Sequence, residues 1–325
     1  MNTSNFEINH TEVTTPPRPS STVLLLRDSA DGGGGGGGDG GGGGSGGNSG
    51  GGGSSTIEVL MQRRHEKNDV LAGAYVFPGG KVDRADGEID MLSRLDLSAA
   101  QLHALMGDSA LDQRGAAVYF AAACREIFEE AGLLLAARAD GTPADGALAA
   151  EAMRWLREGM SFAEVLERFD LTMSASSLVL WSRWVTPRVP SLATKRFDVR
   201  FFLARTPAGQ TAMHDNHEAT DSVWIAPRAA LERFRAGEMK LAPPQIMSMV
   251  ELARHATVDA AMHADAIQWP RLVEPMPFEH DGTRAVAYPG DPLHTNPQRV
   301  MPGPTRLIFR EGRFVPFGDF DELFV

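Results

Sequence analysis

The run Arg125-Glu126-Ile127-Phe128-Glu129-Glu130-Ala131-Gly132-Leu133 sets the tightest condition on any fold of this chain. It reads as the last turns of a helix that begins near Asp112, carries Val118, Ala122, Ile127 and Phe128 on an apolar side, and stops at Gly132. Residues three and four apart share a helix face, so Glu126, Glu129 and Glu130 point the same way within little more than one turn. Carboxylates that close repel each other. The fold must therefore supply a compensating cation, and a hard divalent ion held by oxygen ligands is the natural one.

Strands and helices mix along the rest of the chain. Apolar runs predict strands at Ser21–Asp28, 57–63, 178–185, 197–204 and 222–225. Helices are expected at 98–106, 112–131, 149–158, 161–169, 227–236 and 243–255. A late hairpin pairs 305–310 with 313–316 across Glu311-Gly312. This alternation indicates a layered α/β (α+β) domain, not a helical bundle or a sandwich. Residues 1–20 are polar and read as a disordered tail.

Between Gly32 and Gly53 the chain is almost all glycine, a composition with nothing to bury. An enlarged loop between two neighbouring strands is favoured over a linker, because the preceding segment is strand-like and closing a longer loop costs little more. A phosphate-cradling role is not expected, since no helix follows the tract. Downstream, Gly73 to Asp83 reads as a short strand ending in a tight turn at Gly79-Gly80, where the backbone can approach a ligand closely.

A formal charge of −11 argues against a general nucleic-acid binder. Cys124 is the lone cysteine, so it forms no intrachain disulfide and reads as a small buried residue on its helix. With no signal peptide and no apolar run of membrane length in view, the expectation is a cytoplasmic protein without membrane or nucleic-acid partners, a homodimer being left open.

The Arg-Glu-x-x-Glu-Glu-x-Gly core at Arg125–Gly132, preceded by Pro78-Gly79-Gly80-Lys81-Val82-Asp83, resembles the two halves of the box that marks the Nudix hydrolases. Two departures accompany it. Asp86 stands where the box has its first glutamate, with Glu88 close by, and the halves lie roughly 30 residues further apart than usual. A split box resembles the coenzyme A and acyl-CoA diphosphatase branch, as do Leu60–Arg64 leading into Phe77-Pro78-Gly79-Gly80, Lys195–Phe202 and Leu241–Gln245.

The resemblance implies a mixed sheet between helices over residues 21–255, extra helices inserted in the box at 84–115, and a Pro/Gly-rich extension at 256–325 packed on the domain. It implies Mg2+ or Mn2+ held by Glu126, Glu129, Glu130 and the Gly80 carbonyl, with Arg125 orienting a carboxylate by ion pairing. Glu218, six residues before Trp224, is a further metal or base candidate. His214 and His217 stay unassigned. Arg63, Arg64 and Arg196 are candidate phosphate clamps, and Phe77, Trp181 and Trp184 candidate adenine stackers. The implied reaction cleaves CoA or acyl-CoA to 3′,5′-ADP and (acyl-)4′-phosphopantetheine. The alternatives are a pyrophosphatase for ADP-ribose or NADH, and a non-catalytic nucleotide-binding module.

Overall fold

A computed structural model describes residues 9–29, 57–66, 71–192, 195–213, 219–264 and 271–324. The central element is β1 (Arg18–Asp28). Its Val23 and Leu25 pack into one hydrophobic cluster and its Leu24 and Leu26 into another, so the strand is buried on both faces. β2 (Ile57–Arg64) runs antiparallel beside it, with Leu26 opposite Val59 and Asp28 opposite Ile57. The two strands that flank the glycine tract are thus hydrogen-bonded neighbours. The tract itself lies outside the described residues.

The expected strand over 73–83 is two short ones, β3 (Tyr75–Val76) on β2 and β4 (Gly79–Lys81) on the beginning of β1. The inserted stretch holds α1 (Ile89–Leu92) and α2 (Ala99–Met106). Ser98 and Gln101 cap α2 reciprocally. The long α3 (Gln113–Ala131) follows, capped by the Asp112 side chain and closed by Gly132 at φ 68°. Its Phe120, Ile127 and Phe128 lie against Val23, Leu25 and Phe202 in the first cluster.

A small pair, β5 (Ala136–Arg138) and β6 (Leu171–Met173), brackets α4 (Gly146–Arg157) and α5 (Phe162–Arg168). β7 (Val179–Val185) is antiparallel to β8 (Phe197–Arg205), and β8 is parallel to β1 along its length. β9 (Ala219–Ile225) joins β2 on the other side. The sheet is therefore mixed, with α3 on one face. α6 (Pro227–Arg235), α7 (Pro243–Leu252) and α8 (Val258–Met262) cover the other. Proline opens both α6 and α7, where its missing N–H is no loss.

The last stretch adds β10 (Leu272–Val273), parallel to β7, and then a four-stranded antiparallel sheet. Its strands are β11 (Met276–His280), β12 (Thr283–Ala287), β13 (Arg306–Arg310) and β14 (Arg313–Pro316). Val286, Leu307, Ile308 and Phe314 share the second cluster with Phe234 and Ile246, so this sheet caps the α6–α7 side.

Two expectations change. Residues 9–20 do not belong to a disordered tail: Asn9 and Val13 donate to the carbonyls of Ser191 and Arg188, and β1 already begins at Arg18. The β11–β12 hairpin went unread although Asp281-Gly282, at φ 50° and 76°, carries the usual two-residue turn signal. Among the described residues, no helix is long and apolar enough to cross a membrane.

Candidate active site

β4 brings the glycine turn under the carboxylate face of α3. Gly79 and Gly80 pair with Thr22 and Ser21 of β1, and the Ser21 hydroxyl donates to the Tyr119 carbonyl of α3 at 2.8 Å. Backbone contact and a positive φ force glycine at 79, and at 80 a side chain would crowd the Glu126 carboxylate. A Cβ at Gly79 would lie 2.4 Å from the Ser21 carbonyl oxygen, and one at Gly80 would lie 2.5 Å from the Glu126 carboxylate. The helix returns the contact, since the Gly79 N–H donates to Glu130 Oε2 at 2.7 Å and Arg125 Nη2 donates to the Lys81 carbonyl at 3.0 Å.

Arg125 is the hub. Its Nε donates to Asp86 Oδ1 at 2.7 Å and its Nη2 to Asp86 Oδ2 at 2.9 Å, while Nη1 meets Glu126 at 2.9 Å and Glu129 at 2.7 Å. Asp86 is fully buried, and its Oδ2 also accepts from the Asp83 N–H at 2.7 Å. The shorter aspartate therefore sits at the near end of the insertion and grips the guanidinium from below. Glu88 stays exposed, paired to Arg84.

Burial works against charge here. It pushes the Glu126 carboxyl up to about 7 despite the pull of Arg125, and raises Glu129 for the same reason. Burial would lower Arg125, but the Asp86 hydrogen bonds and the charges of Glu126, Asp86 and Glu129 outweigh it and hold the guanidinium charged.

A cleft of about 1370 Å³ opens over this cluster, bordered by Gly80, Arg125, Glu126, Glu129 and Glu130. Of the expected phosphate clamps only Arg64 borders it. Arg63 pairs with Glu66 at 2.8 Å, and Arg196 donates to the Thr186 carbonyl at 2.9 Å, so neither lines the cleft. The cations that sequence reasoning missed are Arg18, Lys81, Arg157 and Lys195, brought in from β1, β4, α4 and the approach to β8. Phe77 and Trp184 border the cleft, whereas Trp181 lies in the second cluster away from it. Phe77 is almost wholly buried, edge-on to Phe201 at 6.4 Å. Glu218, His214 and His217 lie outside the described residues.

Glu126, Glu129, Glu130 and the Gly80 carbonyl form an all-oxygen donor set, which suits a hard divalent cation and not a soft one. As the side chains stand, Glu126 and Glu129 turn to Arg125 and Glu130 to the Gly79 amide. No group of three His, Cys, Asp or Glu among the described residues is already gathered as a metal cage. The donor chemistry fits an ion; these contacts are the ones it would compete with.

A mixed sheet between helices, with a glycine turn facing a glutamate-bearing helix, is the Nudix arrangement, and comparison with solved structures agrees. The crystal structure of a NUDIX hydrolase from Alicyclobacillus acidocaldarius matches with a TM-score of 0.59 at 26% identity, over 77% of this chain and 97% of that one. The chain has the Nudix fold. Within it, the description that matches is the NUDT19 Nudix domain, over residues 106–252, a span that holds Arg125–Gly132 but not the glycine turn upstream. The acyl-coenzyme A diphosphatase NUDT19 of Gallus gallus is 30% identical over 237 residues, 62% of this chain and 62% of that protein. Its Homo sapiens counterpart is 28% identical over 231 residues, 62% of this chain and 61% of that protein. The chain thus matches less than two thirds of the length of either relative. Nudix hydrolases generally use divalent metal ions.

Proposed function

We propose that this chain is a divalent-metal-dependent diphosphatase that hydrolyses the pyrophosphate bond of CoA or acyl-CoA, giving 3′,5′-ADP and 4′-phosphopantetheine or its acyl form. The observation that carries the reading is the surplus of buried carboxylate around Arg125 on the wall of a large cleft. The relatives named acyl-CoA diphosphatase supply the substrate. Mg2+, or Mn2+ in its place, is the expected ion, and the lone buried Cys124 is consistent with a cytoplasmic, reducing location.

Glu126, Glu129, Glu130 and the Gly80 carbonyl would hold the ion, which supplies charge neutralisation for the phosphate oxygens and activation of water. The protein does the rest. Arg125 fixes Glu126 and Glu129 in place and shares their charge until substrate and ion arrive. Without an ion, burial raises the Glu126 carboxyl to about 7, and a bound divalent cation would favour its charged form. Lys81, Arg18 and Arg64 border the cleft and offer positive charge to the diphosphate and the 3′-phosphate. Asp86 supports the catalytic reading over a mere binding module, because its bidentate grip on Arg125 provides the anchoring carboxylate at that end of the split box.

The test is turnover of a panel of CoA, octanoyl-CoA, ADP-ribose and NADH with Mg2+. A CoA species should have the highest kcat/KM. Far faster hydrolysis of ADP-ribose or NADH would overturn the substrate assignment.

A further inference from the structure

At its beginning β1 runs between β4 and β8, and the registers of the three strands lay out one continuous patch. Ser20 is opposite Lys81, and Arg18 is level with Phe197. Residues level on neighbouring strands share a face of the sheet, as do residues two apart on one strand. Arg18 and Ser20 therefore stand on the same face as Lys81, Phe197 and Val199, and all of them border the cleft. Lys195, two residues before Phe197, borders it too. The alternate residues turn away: Arg196 donates to the Thr186 carbonyl, and Arg200 pairs with Asp198 and Asp108.

Two properties single this patch out. The first is an open ring. Phe77, Trp184, Phe201, Tyr288 and Phe314 also border the cleft, but each is at most 4% exposed. Among the described aromatic residues of the cleft, Phe197 is the one that is partly exposed. A ring must offer a face to stack on a base, so burial closes off Phe77 and Trp184 from that role. The second property is uncompensated charge. Arg18, Lys81 and Lys195 are exposed, and their side chains have no ion-pair or hydrogen-bond partner among the described residues. Asp83, the acid beside them on the cleft border, leans instead towards Arg125 at 4.0 Å. In a chain of net charge −11, three free cations around one open ring make a local anion site.

We infer that this patch is the nucleotide subsite. An adenine ring stacks on Phe197, Arg18 and Lys195 hold a phosphate on the 3′ position of the ribose, and Lys81, next to Gly80, meets the 5′-diphosphate. The strand of Lys81 and that of Phe197 are two sheet spacings apart, about 10 Å, the reach of a nucleoside from its 5′-phosphate. The inference rests on the proposed reading that the substrate is a CoA species. It assigns the choice between CoA and ADP-ribose or NADH to Arg18 and Lys195, because those competitors share the adenine and the diphosphate but lack the 3′-phosphate.

The experiment is titration calorimetry of the full chain, with Mg2+, using 3′,5′-ADP, AMP and 4′-phosphopantetheine as probes, and a thermal melt of each variant. The unaltered protein should bind 3′,5′-ADP about ten-fold more tightly than AMP, and Arg18→Gln or Lys195→Gln should each erode that preference by weakening 3′,5′-ADP alone. Phe197→Leu, which keeps apolar volume but has no ring face, should weaken 3′,5′-ADP and AMP alike by about ten-fold, and Phe197→Tyr should restore both. Binding of 4′-phosphopantetheine should be the same in all. Unchanged 3′,5′-ADP binding in Phe197→Leu, failure of Phe197→Tyr to restore it, or no binding of 3′,5′-ADP to the unaltered protein overturns the subsite. Should Phe197→Leu melt too low to measure, an unchanged preference for 3′,5′-ADP over AMP in both cation variants overturns it. These probes are not hydrolysed, so the outcomes separate. Binding as described without turnover of any CoA species sinks the proposed function and leaves the subsite, whereas CoA turnover with a KM unmoved by Phe197→Leu sinks the subsite alone.

Discussion

Arg125 and Arg200 are both buried and both sit among carboxylates, but their surroundings carry different charge. Arg200 bonds to Asp198 and, at 2.5 Å, to Asp108; Arg183 joins the same two aspartates at 2.8 and 3.0 Å. Two cations meet two anions, and the Tyr119 ring lies 4.8 Å from the Arg200 guanidinium. Arg125 alone faces Asp86, Glu126 and Glu129, with Asp83 at 4.0 Å. The balanced lattice ties the insertion, through Asp108, to β7 and β8, and is complete as it stands. The unbalanced one lies open on the cleft and gains from a further cation. Charge surplus, more than burial or the mere presence of an ion pair, separates a site from a staple.

The sharpest way to break this comparison is to neutralise one carboxylate in each cluster. Glu129→Gln should lower turnover about a thousand-fold, roughly 4 kcal/mol of barrier. Its Tm should hold or rise, since like charges are relieved. Asp108→Ala should do the reverse. Breaking a buried pair is expected to cost about 3–5 kcal/mol in urea denaturation while kcat/KM per folded molecule stays close to the starting value. Should Asp108→Ala lose activity without losing stability, the two clusters would not differ in the way described.

Asp86→Asn lies between these extremes. It keeps the shape but removes charge from the Arg125 grip, so activity should fall about 10–100-fold, with a modest loss of Tm. The smallest effect is on pH dependence. The Glu126 carboxyl is raised from 4.5 to about 7 in the folded state, so the metal-free fold holds its proton longer than the unfolded chain does. Its contribution to stability is full below about 4.5 and is lost as pH rises through about 7; the Glu129 shift has the same sign. Melts with chelator should therefore decline over that window, and Glu126→Gln should flatten the decline. Added Mg2+ should bind more tightly as the pH rises and offset it.

What the sequence made legible was local. Glu126, Glu129 and Glu130 share a face because helical spacing puts them there, and Gly79-Gly80 announced a close approach before its partner was known. The misplaced phosphate clamps show where local reading ends. On β2, Gln62 and Arg64 border the cleft and Arg63 between them does not, an alternation that strand geometry alone could have supplied. Arg18, Arg157 and Tyr288 were out of reach, since they come to the cleft only through the β1–β8 pairing, the packing of α4 and the docking of the last sheet. Asp86 looked like a defect in the motif because its value lies in a contact with Arg125 that no spacing rule displays.

The insertion also bears on how such chains are found. Gly80 and Glu126 touch, although a whole helical insert separates them along the chain. A signature that demands a set gap between the glycine turn and the Arg-Glu core would pass over this protein. One that scores the two halves separately, and asks for an acidic residue able to reach the arginine from the insert, would retrieve it.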